Sequence, residues 1–538
     1  ISCAQCHDHR YDPITQADYY RMRAIFEPGF DTKNWRSPAA RLVSLLTDTQ
    51  RAESTKIEAE AKKLDAVRDK KQEEFITEVL EKELEKADAN LRDDLRKAYR
   101  TVAAKRTPEQ TKLLKAWPRV NQLSGGSLYL YDSTYKTKHA DELKAMTAEA
   151  TKVRATKPVE EFVQAFTETP KKPDLVPATF IFHRGDPEQP KDKVKPGDLS
   201  ILAGQRAIEV PEVTPNLPST GRRLAFAKSI TDGKHPLLAR VMVNRVWMHH
   251  FGKGLVAGTG DFGKLGELPT HPELLDWLAS EFMQNGWSMK HLHRVIMNSR
   301  TYAQTSKRDT DRERIDPDNR LLSRMNVQRL EAETLRDALL AVSGRINPKL
   351  GGTPVPVMHN EEGQVVLGID TTDTAGRQTG KYLPLNGEEY RRSLYVQARR
   401  TMPLEMFAAF DAPAMTDAMC SVRPVTTVSP QSLLLMNNAY MREHAQDFAQ
   451  RLINECGNDL DQQVQRAWKL SFSRAPSMAD TQAAIEFVKA QTEHYKANPA
   501  KLEHVTAPAD KANAAPELLG LAALCHALIS GNAFLYVD

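Results

Sequence analysis

The sequence predicts a mainly α-helical protein of several parts, and three observations carry that prediction. Between Ala39 and Thr107 there is no glycine and no proline in a stretch rich in Ala, Glu, Lys and Arg. In the second half, segment after segment spaces its apolar residues at helical intervals between N-cap and Gly/Pro stop signals. Strand-like alternation is confined to short islands. The expected order is a helical N-terminal region, a long charged helical insert, a small β-region, and a large mostly helical C-terminal domain with a minor β-excursion.

Residues 1–38 form the first part. In "PITQADYYRMRAIFEP", Thr15 is a plausible N-cap with Asp18 three residues on. Tyr19, Met22, Ile25 and Phe26 share a face, and Pro28 stops the helix. Residues 39–120 read as two or more long helices, an antiparallel hairpin whose charges form a solvated face or, as the alternative, a partner-binding coiled coil. Residues 121–214 hold "GGSLYLYDS" and "PATFIFHRGDPEQPKDKVKPGDLSIL", a small β-region with long loops, and end at Pro211, Pro215 and Pro218 as a linker.

Residues 215–538 form the last part. Helices are expected in "RRLAFAKSI" and "LLARVMVNRVWMHHF", split by "DGKHP", then from Thr270 as N-cap to Gly286, and again from Ser288. Four or more follow, beginning with "QRLEAETLRDALLAVSG". In that segment Arg329, Glu333 and Arg336 fall at i, i+4 and i+7, a salt-bridged face first and acid/base chemistry second. The β-excursion lies around residues 353–400, in "GQVVLGID" and "RRSLYVQARR".

Charge and composition exclude some classes. With 74 basic and 70 acidic residues the net charge is +4, too balanced for a dedicated nucleic-acid binder. No run of 18 apolar residues occurs, so no membrane span is expected. No G-x-S-x-G, Walker loop or H-E-x-x-H string is present, and whether the chain is an enzyme stays open.

The one motif with specific chemistry is "CAQCH" at residues 3–7. Five cysteines and fifteen histidines scattered at random would produce C-x-x-C-H in only about one such chain in a thousand, and the pattern is that of c-type haem attachment. If the segment is helical, Cys3 and Cys6 stand about one turn apart, so both thiols reach the two vinyl groups of one porphyrin edge. His7 would then be the axial iron ligand. The distal ligand is open, with Met22 and Met146 among the candidates. A zinc knuckle is the rival; it needs a further ligand such as His9, because Cys420, Cys456 and Cys525 are isolated.

The segment "CAQCHDHRYDPITQADYYRMRAIF" resembles the end of the planctomycete cytochrome-c-type domain. The blocks "NRVWMHHFGKGLV", "THPELLDWLASEF", "VTTVSPQSLLLMNN" and "LCHALISGNAFLYVD" resemble the planctomycete-specific C-terminal domain that accompanies it. The resemblance implies an exported, haem-motif-bearing chain; covalent haem c, expected from the C-x-x-C-H spacing, in turn implies a periplasmic or otherwise extracytoplasmic chain with its signal upstream of Ile1. The resemblance names no reaction. Two functions are expected from the motif and the helical domain: an electron-transfer protein whose large helical domain is the scaffold or docks a redox partner protein, or an exported enzyme or binding module acting on a polymer such as a polysaccharide, with the haem as accessory. Trp247, Trp277, Trp287 and Tyr302 could stack on sugars, although their helical spacing favours burial.

A second candidate site lies in the C-terminal part. Asn244, Arg245, His249, His250, Asp261 and His271 fall within a 28-residue span joined by glycines. Its architectural alternative is that these side chains tie helix ends together.

Overall fold

The computed structural model describes residues 2–31, 35–131, 133–168, 176–203, 209–217, 219–373, 377–399, 401–413, 422–498 and 515–537. Pro218 of the linker and Cys420 lie outside them. The protein is mainly α: twenty α-helices and five two-stranded antiparallel sheets are found among the described residues. The chain divides into two compact units, one of residues 31–169 and one of residues 1–30 with 170–538.

In the 31–169 unit, a 37-residue helix, Asp48–Leu84, starts at a capping box in which Thr47 and Gln50 satisfy each other's backbone N–H groups. Its antiparallel partner is the Ala140–Arg154 helix. Arg154 binds Glu58 and Asp65 near the start of the long helix, and Lys71 faces Glu142. The long helix stays exposed for most of its first half and buries Phe75, Val79, Leu80 and Leu84 with Leu95, Leu114 and Val120. Its charged surface is therefore a solvated, ion-paired face. The expected strand in "GGSLYLYDS" is a 3-10 turn, Leu128–Leu130. Ser127 Oγ accepts from Ser124 N and sets the turn, and the unit's two strands, Leu42–Ser44 and Phe162–Gln164, pair with each other.

In the other unit, an antiparallel hairpin of Thr179–Phe182 and Pro190–Val194 packs beside the Gln16–Phe26 helix. Leu238–Phe251, Pro272–Gln284 and Met289–Met297 then form a three-helix cluster around Val243, Trp247, Leu278 and Leu292. Ser288 caps the third of these, accepting from His291 N. The N-cap of the second is His271 rather than the expected Thr270, with Pro272 as its first helical residue.

The largest core joins Ala332–Val342, Ala439–Cys456, Leu460–Phe472, Met478–Ala497 and Pro516–Ser530. Gly520 makes the closest approach, since a Cβ there would lie 2.2 Å from Thr492 Oγ1 and 2.9 Å from Val488 O.

Two expectations for this part are corrected. The helix expected from "QRLEAETLRD" begins only at Ala332, because Gln328–Arg329 is a strand paired with Tyr536–Val537 near the chain's end. The Arg329, Glu333, Arg336 stack therefore does not form: Arg329 binds Asp411, Glu333 binds Arg423, and Arg336 binds backbone carbonyls. In the β-excursion, Val365–Leu367 and Ile369–Thr372 are strands. Of "RRSLYVQARR", Arg400 lies outside the described residues, and the rest is a 3-10 turn, Ser393–Tyr395, with single bridges at Arg391 and Val396; Arg336 donates to the carbonyl of Arg391 and Asp337 accepts from the N–H of Ser393.

Candidate functional site

The Cys-x-x-Cys-His segment opens as a 3-10 turn, Ser2–Gln5, closed by Cys6 N to Cys3 O at 3.4 Å. One side of the turn is held in the protein. Ala4 is fully buried, and the carbonyl of Gln5 accepts from Tyr20 Oη at 3.1 Å and from Gln16 Nε2 at 3.0 Å. Gln16 Nε2 also donates to Phe182 O on the hairpin at 2.9 Å. On the other side, Cys3, Cys6 and His7 are all exposed, and neither cysteine is in a disulfide.

The Gln16–Phe26 helix supplies the anchor. The expected cap is present: Thr15 Oγ1 accepts from Asp18 N, and Asp18 Oδ2 accepts from Thr15 N. The same carboxylate reaches a partner 182 residues away, accepting from Ser200 N at 2.9 Å and Ser200 Oγ at 2.8 Å. Burial pushes the Asp18 carboxyl up, but these hydrogen bonds from Thr15 and Ser200 outweigh it and hold the group below the usual carboxylate range. Tyr20 packs edge-on against Phe182, and Arg23 lies over the Phe182 ring. Arg222 Nη1 donates to Ala24 O at 2.8 Å, joining this helix to the helix that begins at Arg222.

The histidines of the segment differ in what they can offer a metal. His7 Nδ1 is 2.7 Å from the carbonyl of Asp8. A carbonyl only accepts, so the proton sits on Nδ1 and the lone pair on Nε2. His9 is the reverse. Its Nδ1 accepts from Asp12 N at 3.0 Å, which puts the proton of the neutral ring on Nε2 and leaves no free lone pair. Among the described residues no three His, Cys, Asp or Glu side chains are placed to share one metal ion. The segment thus presents two outward thiols and one Nε2 lone pair.

Beside Cys6 the hairpin turn comes close. Gly185 has φ +82°, and a Cβ on it would lie 2.9 Å from Cys6 Sγ. Only glycine satisfies both the backbone and the sulfur there.

The residues of the second cluster have separate partners. Asn244 is fully buried and spends its whole amide on Val256: Nδ2 donates to Val256 O, and Oδ1 accepts from Val256 N. Arg245 and His249 are exposed. His250 turns to a residue the sequence did not single out, its Nε2 lying 2.7 Å from His293 Nδ1, with Tyr302 edge-on to its ring. Burial, with the neighbouring His293 and His249, holds the imidazole of His250 below its ordinary value. His271 Nδ1 meets Thr270 Oγ1 at 2.9 Å at the start of its helix. Asp261 Oδ1 accepts from Gly263 N.

That last loop links the two regions. Lys264 N donates to Asp12 Oδ1 at 2.8 Å, and a Cβ on Gly263 would sit 2.7 Å from the same oxygen. Asp12, Gln16, Ser200 and Gly185, which hold the motif in place, were not among the candidates. Their roles depend on contacts far apart in sequence, which no local spacing reveals.

The aromatic candidates are mostly spent on packing. Trp247 stacks on Phe251, Trp287 packs against Phe282, and Tyr302 packs against His250 and Phe251. Only Trp277 is exposed. Of the distal-ligand candidates, Met22 is on the anchoring helix and Met146 packs on the core of the 31–169 unit.

Two family models match. Residues 1–29 match PSCyt2, protein of unknown function (DUF1549), and residues 222–488 match PSD1, protein of unknown function (DUF1553). No curated protein and no solved structure matches the chain.

Proposed function

Starting from a chain that carries the planctomycete cytochrome-c-like and C-terminal domains, both of unknown function, we propose that it is an extracytoplasmic c-type haem protein that passes electrons. The observation that carries this reading is the Cys3, Cys6, His7 turn, with its anchoring face buried and its three reactive side chains outward.

Each residue has a defined task. Cys3 and Cys6 would hold the haem covalently through their two outward thiols. His7 would offer Nε2 to the iron, and the backbone carbonyl of Asp8, by accepting the Nδ1–H hydrogen bond, fixes that tautomer. Gln16 and Tyr20, through the carbonyl of Gln5, keep the turn seated. Haem bound there supplies one-electron transfer. The exposure of the motif suits a haem edge open to a redox partner protein, with the large helical part as its scaffold. Covalent haem attachment accompanies export, so the proposal places the chain outside the cytoplasm.

The test is the absorption spectrum of the protein exported from a host with a haem-ligation system. A reduced spectrum of the c type that persists through acid-acetone extraction supports the reading. Protein that is folded, exported and free of haem overturns it.

A further inference from the structure

Away from the motif, and sharing no residue with it, the C-terminal core holds a cavity of about 1480 Å³. This exceeds the roughly 300–1,000 Å³ usual for small-molecule sites. One wall is aliphatic, built from the Val365–Leu367 strand with Leu404 and Leu434. The polar part of the lining is the start of the Ala439–Cys456 helix with Arg336.

The polar wall contains groups that the protein leaves incompletely matched. Arg336 is 2% exposed, yet its guanidinium is held only by neutral acceptors: the carbonyls of Arg391 and Glu389 and the hydroxyl of Ser393. Its nearest carboxylate, Asp337, is 4.0 Å away and already accepts from Ser393 N and Arg392 Nε. A buried cation without a close counter-charge is costly. Tyr440 Oη is buried with no hydrogen-bond partner among the described residues. Burial pushes this phenol up to about 12, so it remains a donor at any physiological pH. Arg442 also lines the cavity and forms no ion pair among the described residues.

Acidic side chains line the cavity too, but two of the three are engaged. Glu389 accepts from Gly387 N, and Glu443 lies in the field of Arg345. Glu405 is exposed. Among the buried lining groups, Arg336 and Tyr440 are donors, and Val365–Leu367 and Leu434 line the same cavity.

We infer that this cavity binds an organic carboxylate with an aliphatic body, its carboxylate received by Tyr440 Oη and the guanidinium groups of Arg336 and Arg442. The ligand supplies the acceptor that Tyr440 lacks and a carboxylate closer to Arg336 than the 4.0 Å of Asp337, and its chain covers the Val365–Leu367 and Leu434 side chains.

The experiment is calorimetric titration of the full chain with octanoate and with octanamide, which has the same chain and no charge. Octanoate is expected to bind at least about tenfold more tightly than octanamide. Tyr440→Phe and Arg442→Gln should each weaken octanoate by about fivefold or more while changing octanamide less. Both variants leave the Arg336 network intact, and a melting curve for each confirms folding. Equal affinity for the two probes, no octanoate binding, or octanoate affinity unchanged in both variants overturns the inference. Haem content plays no part in the readout, so this result and that of the haem proposal are separable.

Discussion

Lys264 donates its backbone N–H to Asp12 Oδ1 across 252 residues of sequence, at 2.8 Å. Through this bond the segment following Cys-x-x-Cys-His rests on the glycine-rich loop of the C-terminal part. Gly263→Ala would place a methyl 2.7 Å from that oxygen and displace it. Amide exchange in residues 8–16 and 260–266 is expected to accelerate in Gly263→Ala and in Asp12→Ala, each losing about 1 kcal/mol of local stability. Unchanged exchange in both variants would show that the contact does not hold the segment.

Asp18 serves its own helix cap and Ser200 at once. Asp18→Ala is expected to cost about 2–4 kcal/mol, from the lost cap and the lost hydrogen bonds to a buried carboxylate. Its folded pKa is depressed, so its contribution is complete above the unfolded value of about 3.9 and is lost as pH falls through the folded value. Urea unfolding of parent and variant at pH 7 and pH 3 checks both points: the two should differ at pH 7 and converge toward pH 3.

The His250–His293 pair predicts a second pH effect. The folded pKa of His250 lies below its ordinary value, so the native state takes up this proton less readily than the unfolded chain. Its stabilising contribution is therefore full above about pH 6.5 and declines as pH falls below that value. The melting temperature should drop between pH 7.5 and 5, and His250→Phe should flatten that dependence. An equal slope in the variant would assign the titration to other groups.

Gly520 has no room for a side chain. In Gly520→Ala the methyl meets Thr492 Oγ1 and the carbonyl of Val488, and a loss of about 1–3 kcal/mol is expected on thermal melting. Adding Thr492→Ala should recover only part of it, because the Val488 carbonyl remains. Full recovery would place the conflict in the threonine side chain alone.

What could be read in the sequence followed how local its causes were. The Gln16–Phe26 and Met289–Met297 helices were legible because Thr15 with Asp18, and Ser288, are caps within three residues of what they bind. The start of the helix after Arg329 was not, because strand pairing with Tyr536–Val537 decides it from the far end of the chain. The motif's residue types were legible, but its seat was not: Phe182, Ser200 and Lys264 reach it only after folding. Likewise His250 and His271 were grouped by proximity in sequence, while His250 faces His293 on another helix. Arg336 was visible as a charge on a helix, but not as a buried cation beside a cavity.

The central claim is that Cys3, Cys6 and His7 hold one covalent haem. It is tested most directly by the intact mass of the protein exported with a haem-ligation system, for the parent and for Cys3→Ser with Cys6→Ser. The account predicts a parent mass raised by one haem per chain, an increment that survives denaturation and is absent from the double variant. A parent chain with unmodified mass, or a haem increment retained in the double variant, would contradict it.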